Sequence, residues 1–310
     1  MKSNNSVMIA TTGGLGNQLF QVAAALSFSK MKPIFLDRNL LLNNNSDIFD
    51  FVDPALIHSI DEKAIQSFYR KIGNAVLRST RGVTTTNPLD WSPRLTRFFG
   101  ALALSLGYSL GLKVSAPNNL GFDDGHNLAR GRNLLIGYFQ SYKCFEGVNV
   151  GEIFKLQQRC YSKEFENLLA VAEKIKPVVL HVRLGDYAQS SDLQEISPSY
   201  YRHAISSLGE YVSNVEVWVF SNEVEKAKAL LPKKRDLVYK FIPSDLLTTS
   251  QNLQLMRYGS AYIIGNSTFS WWGAYLRYDD LAPVRYPEFW FTHMDTPHMM
   301  HPEDWEAVQL

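Results

Sequence analysis

Cysteine is scarce in this chain, and neither sign of charge is in excess. Two cysteines, Cys144 and Cys160, are too few for a disulfide scaffold, so we expect both to remain reduced in a cytosolic protein. The formal net charge is +1, whereas a protein that binds nucleic acid over a wide surface needs a broadly basic face. The composition therefore excludes a disulfide-rich secreted domain and gives no indication of a nucleic-acid partner.

Long apolar runs are missing as well. Residues 1–14, MKSNNSVMIATTGG, contain no apolar core, so we expect neither a secretory signal nor a membrane anchor there. The stretch FFGALALSLGYSLGL at 98–112 is interrupted by Gly, Ser and Tyr and is too short to cross a bilayer. Residues 63–97, directly before it, carry seven Lys or Arg and one acid. Residues 63–112 therefore form either a buried part of a first lobe or a peripheral contact with an anionic membrane surface.

The sequence also lacks the residue patterns of a metal site. It has no Cys/His cluster with zinc-ligand spacing. Metal-dependent sugar transferases often place two carboxylates one residue apart beside a strand end, where they bind a hard cation. The acidic pairs here, Asp123–Asp124 and Asp279–Asp280, are adjacent and lie in turn-like contexts. We therefore expect no metal ion.

The remaining composition is that of an ordinary globular protein. Apolar residues make up 45% of the chain and charged residues 20%. A chain of 310 residues is long for one hydrophobic core, so we predict two lobes, residues 1–160 and 161–310. Residues 133–140, NLLIGYFQ, are predicted to form a strand, and the stretch from about 151 to 175 is predicted to be helical. Strand and helix patterns alternate through the second half, which predicts a mostly parallel sheet between layers of helices.

The amino-terminal part reads as a strand, a glycine loop, a helix and a second strand. Val7–Ala10 is the first strand, Gly13, Gly14 and Gly16 form the loop, and Asn17–Lys30 has helical apolar spacing. Glycines allow a ligand to approach the backbone, and a helix start offers unpaired N–H groups to an anion. The loop is a poor match to the dinucleotide fingerprint because Leu19 stands where a small residue is required. It is therefore either a phosphate-facing loop or a structural turn.

Residues 178–187, VVLHVRLGDY, form the most informative segment. Side chains alternate along a strand, so Val179, His181 and Arg183 share one face while the other apolar residues share the opposite face. The carboxyl ends of parallel strands form the crevice in which open α/β sheets bind ligands. An arginine there fits a phosphate group in bidentate fashion. The segment is therefore a phosphate-binding strand end, or alternatively the site of an Arg183–Asp186 salt bridge.

Two further loops in the second half follow predicted strands and carry hydroxyl or amide side chains. They are residues 221–222, which also fit the start of a helix as capping residues, and residues 265–270. The helix that begins near Thr268 would add its N-terminal dipole for a phosphate group. Trp271 and Trp272 fit either the core at this junction or a sugar-stacking surface.

Four segments of the chain form a recognisable set when taken together. They are GGLGNQLFQ near the amino terminus, HVRLGDY in the middle, FSNE at 220–223 and GNSTFSWWGAYL at 265–276. In this order they resemble the α1,2-fucosyltransferase family of glycosyltransferases. The resemblance implies a GT-B-like α/β fold with two Rossmann-like lobes and a cleft between them. It also implies inverting transfer of L-fucose from GDP-β-L-fucose to the 2-hydroxyl of a terminal galactose, without a metal ion or other cofactor.

The resemblance also implies roles for the lobes and for individual residues. The C-terminal lobe would bind GDP-fucose and the N-terminal lobe mainly the β-galactoside acceptor. Arg183 would bind the β-phosphate, His181 would line the nucleotide site, and Asn17 would reach the cleft. Leu184 stands where a second arginine of the motif often lies, so the role of that arginine is unfilled here.

A carboxylate is expected to take the proton of the acceptor hydroxyl. Asp186 matches the motif, although it could instead orient Arg183, and Asp192 and Glu195 follow in the same loop. The candidate catalytic residues are therefore Arg183, Asp186 and Asn17. The residues expected to contact the donor are Gly14, Gly16, Asn17, His181, Arg183, Ser221, Asn222, Ser267, Thr268, Phe269 and Ser270.

Other functions remain open at this point. They are a fucosyltransferase of another linkage, a non-catalytic nucleotide- or glycan-binding protein, and a dinucleotide oxidoreductase, which the poor glycine fingerprint disfavours. We expect a cytoplasmic enzyme that acts at the inner membrane face on glycan units such as those of O-antigen or capsule.

Overall fold

The computed structural model describes most of the chain, in two compact units. The described residues are 7–11, 13–37, 47–59, 112–115, 121, 132–135, 137–184, 193–212, 216–233, 237–243, 245–293 and 295–309. The first unit runs to Ile153 and includes Pro297–Met300, and the second comprises Phe154–Thr296 and the residues from His301 onward. The predicted boundary at residue 160 lies a few residues beyond this division.

Within the described residues, the first unit contains a five-stranded parallel sheet. Its strands are β1 (Val7–Ala10), β2 (Ile34–Asp37), β3 (Ile57–Ser59), β4 (Leu112–Ser115) and β5 (Arg132–Leu135), in the order β3-β2-β1-β5-β4. The helices are α1 (Leu15–Phe28), α2 (Asp47–Phe51) and α3 (Val150–Ile153), with a 3₁₀ helix at Tyr142–Phe145. The β1–α1–β2 order predicted from the sequence is confirmed.

Helix α1 supplies much of the core of the first unit. Eleven of its fourteen residues are buried, which explains its alanine-rich composition. It begins at Leu15, two residues before the predicted start, and Gly14 occupies the N-cap position without a side-chain cap. The helix therefore presents its amino end directly after the glycine loop.

The second unit contains a six-stranded parallel sheet within the described residues. Its strands are β6 (Val178–Val182), β7 (Glu216–Ser221), β8 (Val238–Ile242), β9 (Ala261–Ile263), β10 (Val284–Pro287) and β11 (Glu306–Val308), in the order β11-β10-β9-β6-β7-β8. The helices are α4 (Lys163–Ile175), α5 (Pro198–Ser207), α6 (Val224–Leu230), α7 (Thr249–Met256) and α8 (Thr268–Tyr275), with 3₁₀ helices at Gln158–Cys160 and Gly209–Val212.

Strand β6 lies at the centre of this sheet, between β9 and β7. All five of its residues are buried. Val178, Leu180 and Val182 belong to a core cluster with Tyr200 and Tyr201 of α5, as the alternation of side chains predicts. A strand covered on both faces needs the continuous apolar run that the sequence shows.

Several predicted elements are shorter than the sequence indicates. The strand expected over 133–140 ends at Leu135, and Phe139 further on has a φ of 53°, which no strand residue adopts. The helical stretch expected over 151–175 is divided among α3, a 3₁₀ helix and α4. Trp271 and Trp272 are fully buried, which confirms their interpretation as core residues.

The α/β fold with two Rossmann-like units is confirmed by the two parallel sheets. Within the described ranges, every helix is too short or too polar to span a bilayer. Almost all of the basic and apolar segment 63–112 lies outside the described residues, so both interpretations of that segment stay predictions.

Candidate functional site

The candidate site of the second unit lies where β9, β6 and β7 end. These strands are adjacent and parallel, with Leu180 opposite both Ile263 and Val219, so the segments that leave their carboxyl ends start from one edge of the sheet. His181 is the second-last residue of β6, and Arg183 directly follows the strand. The structure thus brings to one sheet edge residues from three segments that the sequence predicts to bind the donor: Arg183 and Leu184 after β6, residues 221–222, and residues 265–270.

His181 is held as a buried, neutral imidazole. The residue is only 5% exposed, and its Nδ1 atom has no hydrogen-bond partner among the described residues. A Cβ atom on Gly265 would lie 3.7 Å from this nitrogen, and the ring of Phe269 packs at 5.8 Å between centroids. Burial, and to a smaller extent the Arg183 charge, lower the pKa of His181 from 6.5 to about 3. His181 therefore offers hydrogen bonds without charge at neutral pH.

Arg183 supplies the permanent positive charge at this edge. It is half-buried and follows β6 directly. A guanidinium group stays charged at any working pH and presents a flat set of donors that matches a phosphate. Asp186 and Asp192 lie outside the described residues, so the alternative of an Arg183–Asp186 salt bridge stays a prediction.

Asn222 binds the backbone that follows Arg183. Its Oδ1 accepts a hydrogen bond from the Leu184 N–H at 3.0 Å, and its Nδ2 donates to the Leu184 carbonyl at 2.7 Å. The expectation that residues 221 and 222 cap the next helix is wrong, because α6 has Glu223 as its N-cap residue. Ser221 accepts from the Glu223 N–H instead. Asn222 thus fixes the chain as it leaves β6.

In the loop before α8, some polar side chains make hydrogen bonds within the protein, and the side chain of the N-cap residue makes no capping hydrogen bond. Ser267 is the N-cap residue, and its side chain makes no capping hydrogen bond, while Thr268 and Phe269 are half-buried. The hydroxyl of Ser270 is buried and donates to the Ser267 carbonyl at 3.1 Å. Asn266 donates to the Gln194 and Trp290 carbonyls. The amino end of α8 is therefore held rigidly.

Glu195 lies near this loop in the described part of the chain. Its side chain is exposed, and the neighbouring Gln194 N–H donates to the Trp290 carbonyl at 3.1 Å. Residues 193–195 are thus attached to the segment after β10, because Leu193 also pairs with Phe291 in an antiparallel bridge.

The glycine loop of the first unit is completed by a residue that the sequence analysis missed. Gly13 has a φ of 74°, and a Cβ atom there would lie 2.5 Å from Asn17 Nδ2. Asn17 Oδ1 accepts a hydrogen bond from Gln140 Nε2 at 3.1 Å. Gly14 is exposed and Gly16 is buried. Gln140 is 123 positions from Asn17, so no local motif could have identified it.

Two more buried glutamines hold the same region. Gln18 donates to the Gly13 carbonyl at 2.9 Å, and Gln21 donates to the Gly137 carbonyl at 3.0 Å. Both are buried positions of α1, and polar residues in an otherwise apolar helix were a signal that the sequence contained.

Among the described residues, no three His, Cys, Asp or Glu side chains are grouped so that they could bind a metal ion.

Comparison with known proteins points to glycosyltransferases. Residues 158–300 match the family model of glycosyl transferase family 11. The chain is 29% identical over 186 residues to an alpha-1,2-colitosyltransferase of Escherichia coli, an alignment that covers 56% of this chain and 62% of that protein. It is 25% identical over 303 residues to the O-antigen biosynthesis glycosyltransferase WbnK of Escherichia coli, which covers 90% of this chain and 93% of WbnK.

The chain also matches solved structures. The fucosyltransferase NodZ from Bradyrhizobium matches with a TM-score of 0.47 and 12% identity over 88% of this chain and 94% of NodZ. The sequence comparisons support a glycosyltransferase similar to those of family 11, and the matched region contains the three loops described above.

Proposed function

We propose that the protein transfers L-fucose from GDP-β-L-fucose to the 2-hydroxyl of a terminal galactose, with inversion and without a metal ion. The observation that carries the proposal is the grouping of Arg183, the neutral His181 and the amino end of α8 at one sheet edge. The resemblance of the four sequence segments to α1,2-fucosyltransferases supplies the sugar and the linkage.

The charges at this edge suit the departure of a nucleoside diphosphate. When GDP leaves, negative charge develops on the diphosphate and positive charge on the sugar ring. A fixed cation and oriented N–H groups stabilise the leaving charge without reorganisation of the site. Arg183 would provide the cation and the start of α8 the N–H groups. His181, which is neutral, would add a hydrogen bond and no further charge.

The acceptor hydroxyl has to lose its proton during the transfer. We propose Asp186 for this role because it matches the motif, with Asp192 and Glu195 as the alternatives in the same loop. We propose that Asn17 contacts substrate from the first unit. The acceptor would be a β-galactoside of a repeat unit built on the cytoplasmic side of the membrane, in line with the O-antigen role in the name of WbnK.

A second donor is favoured by one comparison. The relative with 29% identity is named as a colitosyltransferase of α-1,2 linkage. Colitose is L-fucose without its 3-hydroxyl group, so the same diphosphate site would serve both donors. A pocket that hydrogen-bonds the 3-hydroxyl would reject the deoxy sugar strongly, whereas an apolar pocket would discriminate weakly. Parallel assays with GDP-fucose and GDP-colitose therefore decide between the two donors.

The deciding experiment is GDP release from each donor in the presence of EDTA, across a panel of β-galactosides, with the product linkage read by NMR. We expect acceptor-dependent release and an α1,2 linkage with inversion of the donor anomer. Loss of activity with EDTA that Mn²⁺ or Mg²⁺ restores would contradict metal independence. If the protein binds GDP but releases none from either donor with any of the galactosides, the proposed acceptor is rejected and only a nucleotide-binding protein remains.

A further inference from the structure

A second loop joins the glycine loop at the sheet edge of the first unit. Strands β1 and β5 pair in parallel, with Ile9 opposite Leu135, so the segments that follow them leave from the same edge. Gly13 and α1 follow β1, and residues 137–141 follow β5. The four sequence segments that carry the family resemblance do not include residues 137–141.

This second loop is fixed by its own contacts. Gln21 donates to the Gly137 carbonyl, and the Ser141 N–H donates to the Phe139 carbonyl at 2.8 Å. Phe139 is fully buried with a φ of 53°, a conformation that bulky residues rarely adopt. Strain of this kind persists only where the surroundings over-determine it, and it concentrates at functional sites. The loop therefore holds Gln140 in one position.

Gln140 directs its amide toward Asn17. It is 6% exposed, and its Nε2 donates to Asn17 Oδ1 at 3.1 Å. Its own Oε1 is buried without a hydrogen-bond partner among the described residues. The buried amide thus donates to Asn17 while its oxygen has no partner among the described residues, and a buried polar group left half-satisfied is normally retained for a reason.

We infer that Gln140 is a positioning residue that sets which end of the Asn17 amide meets the substrate. Because Gln140 donates to the oxygen of Asn17, the Nδ2 amino group remains to donate a hydrogen bond, and it lies beside Gly13. This inference rests on the proposed function, in which Asn17 contacts substrate. An N–H donor suits the oxygen atoms of a hydroxyl or a phosphate group, whereas an exposed amide oxygen only accepts.

Two substitutions at position 140 test the orientation. Gln140→Met keeps the volume and removes the hydrogen bond, so the Asn17 amide is free to turn. Gln140→Glu presents only acceptors when ionised, so it would bind the amino group of Asn17 and turn the oxygen toward the substrate. We expect kcat/KM to fall about two- to tenfold in Gln140→Met, the range for one lost hydrogen bond, and further in Gln140→Glu.

The matched control is Gln251→Met in the second unit. Gln251 is also buried and donates to a backbone carbonyl, that of Cys160, at 2.7 Å. Its Oε1 also accepts a hydrogen bond from the Thr248 N–H at 2.9 Å, so this variant should lose at least as much stability as Gln140→Met and keep its turnover. Thermal unfolding of all three variants separates a lost amide hydrogen bond from a lost orientation.

A readout that needs no turnover comes from the side-chain NH₂ signal of Asn17 in NMR spectra. We expect Gln140→Glu to shift it downfield, because a carboxylate accepts from the amino group, and Gln140→Met not to. An unshifted signal in Gln140→Glu, or activity in Gln140→Glu equal to or above that of Gln140→Met, would overturn the inference. If the wild type transferred no sugar at all, the proposed function would fail, and the NMR shift would still decide the orientation.

Discussion

The two strand-end regions of this protein differ in the kind of polar group they carry. At the end of β6 stand a permanent cation, Arg183, and a buried neutral imidazole. Near the ends of β1 and β5, the described residues include three neutral amides: Gln140 donates to Asn17, and Gln18 donates to the Gly13 carbonyl. A cation suits a diphosphate, and amides suit sugar hydroxyl groups. The proposed function would therefore use the first region for the donor diphosphate and the second for the acceptor sugar.

The regions also differ in how they are built. Arg183 and the Asn222 contact with Leu184 belong to neighbouring strands of one sheet, within about forty positions of each other. The amide pair of Asn17 and Gln140 joins residues 123 positions apart. We call the end of β6 with Arg183 the charged region and the pair of Asn17 and Gln140 the amide region. Substitutions in the charged region should mainly lower the rate of transfer, and those in the amide region should mainly change how the Asn17 side chain is positioned.

The largest effect is expected from Arg183→Ala. Removal of a preorganised charge from a leaving group lowers kcat by about 10²–10³-fold. Arg183→Lys should recover only part of this, because a lysine cannot bind a phosphate in bidentate fashion. GDP release and thermal unfolding are to be measured for both, with Arg202→Ala on the exposed side of α5 as the control. Near-wild-type turnover in Arg183→Ala would remove the charged region from the mechanism.

The next effect is expected from Gly13→Ala. Its φ of 74° costs a residue with a Cβ atom about 1–2 kcal/mol, and the new methyl group would lie 2.5 Å from Asn17 Nδ2. A displacement of about 1 Å in a positioned group can cost up to about 10²-fold in rate, so we expect a loss of ten- to a hundredfold in kcat/KM.

Gly14→Ala is the matched variant for this loop. Gly14 has a φ of −71°, and a Cβ atom there would meet nothing within 4 Å, so its stability should equal that of the wild type. A loss of activity in Gly14→Ala at unchanged stability would show that substrate approaches the backbone at that position. Wild-type activity in Gly13→Ala would contradict the role of Asn17.

A smaller effect is expected from substitution of Asn222, which binds the backbone of Leu184, the residue after Arg183. Asn222→Ala loses both hydrogen bonds, and Asn222→Asp keeps only the one from the Leu184 N–H. Each is worth about 0.5–1.5 kcal/mol, which corresponds to about two- to tenfold in the KM for the donor. If Asn222 acts through Arg183, the double variant with Arg183→Ala should be no worse than Arg183→Ala alone. Additive losses would give Asn222 an independent contact with substrate.

These differences explain what the sequence could and could not predict. The two-residue period of β6 predicts its faces correctly, because the apolar face has to meet the core. Residues 221 and 222 were misassigned as caps because Ser and Asn suit a helix start and a backbone clamp equally well. Which of these two roles Asn222 takes depends on the position of the Leu184 backbone after β6, and the sequence around Asn222 does not encode that position. Gln140 was missed for the same reason, since only the fold brings it to Asn17.

The strand expected over 133–140 fails for a different physical reason. Its residues have suitable β propensity, but Phe139 is held in a left-handed conformation that propensity disfavours. Tertiary contacts of the loop override the local preference there, including the Ser141 hydroxyl, which donates to the Met299 carbonyl at 2.5 Å.

The smallest effect at neutral pH is expected from substitution of the buried histidines His181 and His301, because their effect on stability appears only as the pH falls. Burial lowers the pKa of both to about 3, so the unfolded chain takes up a proton near pH 6.5 that the folded chain refuses. Each histidine therefore contributes stability that is complete above pH 6.5 and is lost toward pH 3, at about 1.4 kcal/mol per pH unit. His181→Gln and His301→Gln should each flatten the decline of the free energy of unfolding by about one proton.

The affinity for GDP then distinguishes the two histidines. His301 stacks on Tyr286 at 3.8 Å within an aromatic cluster, so its variant should keep the wild-type affinity for GDP. His181 lies beside Gly265 and Phe269 at the charged strand end, so its variant should bind GDP more weakly. Equal GDP affinity in both variants by calorimetry would make His181 a core residue and leave Arg183 and α8 to bind the diphosphate.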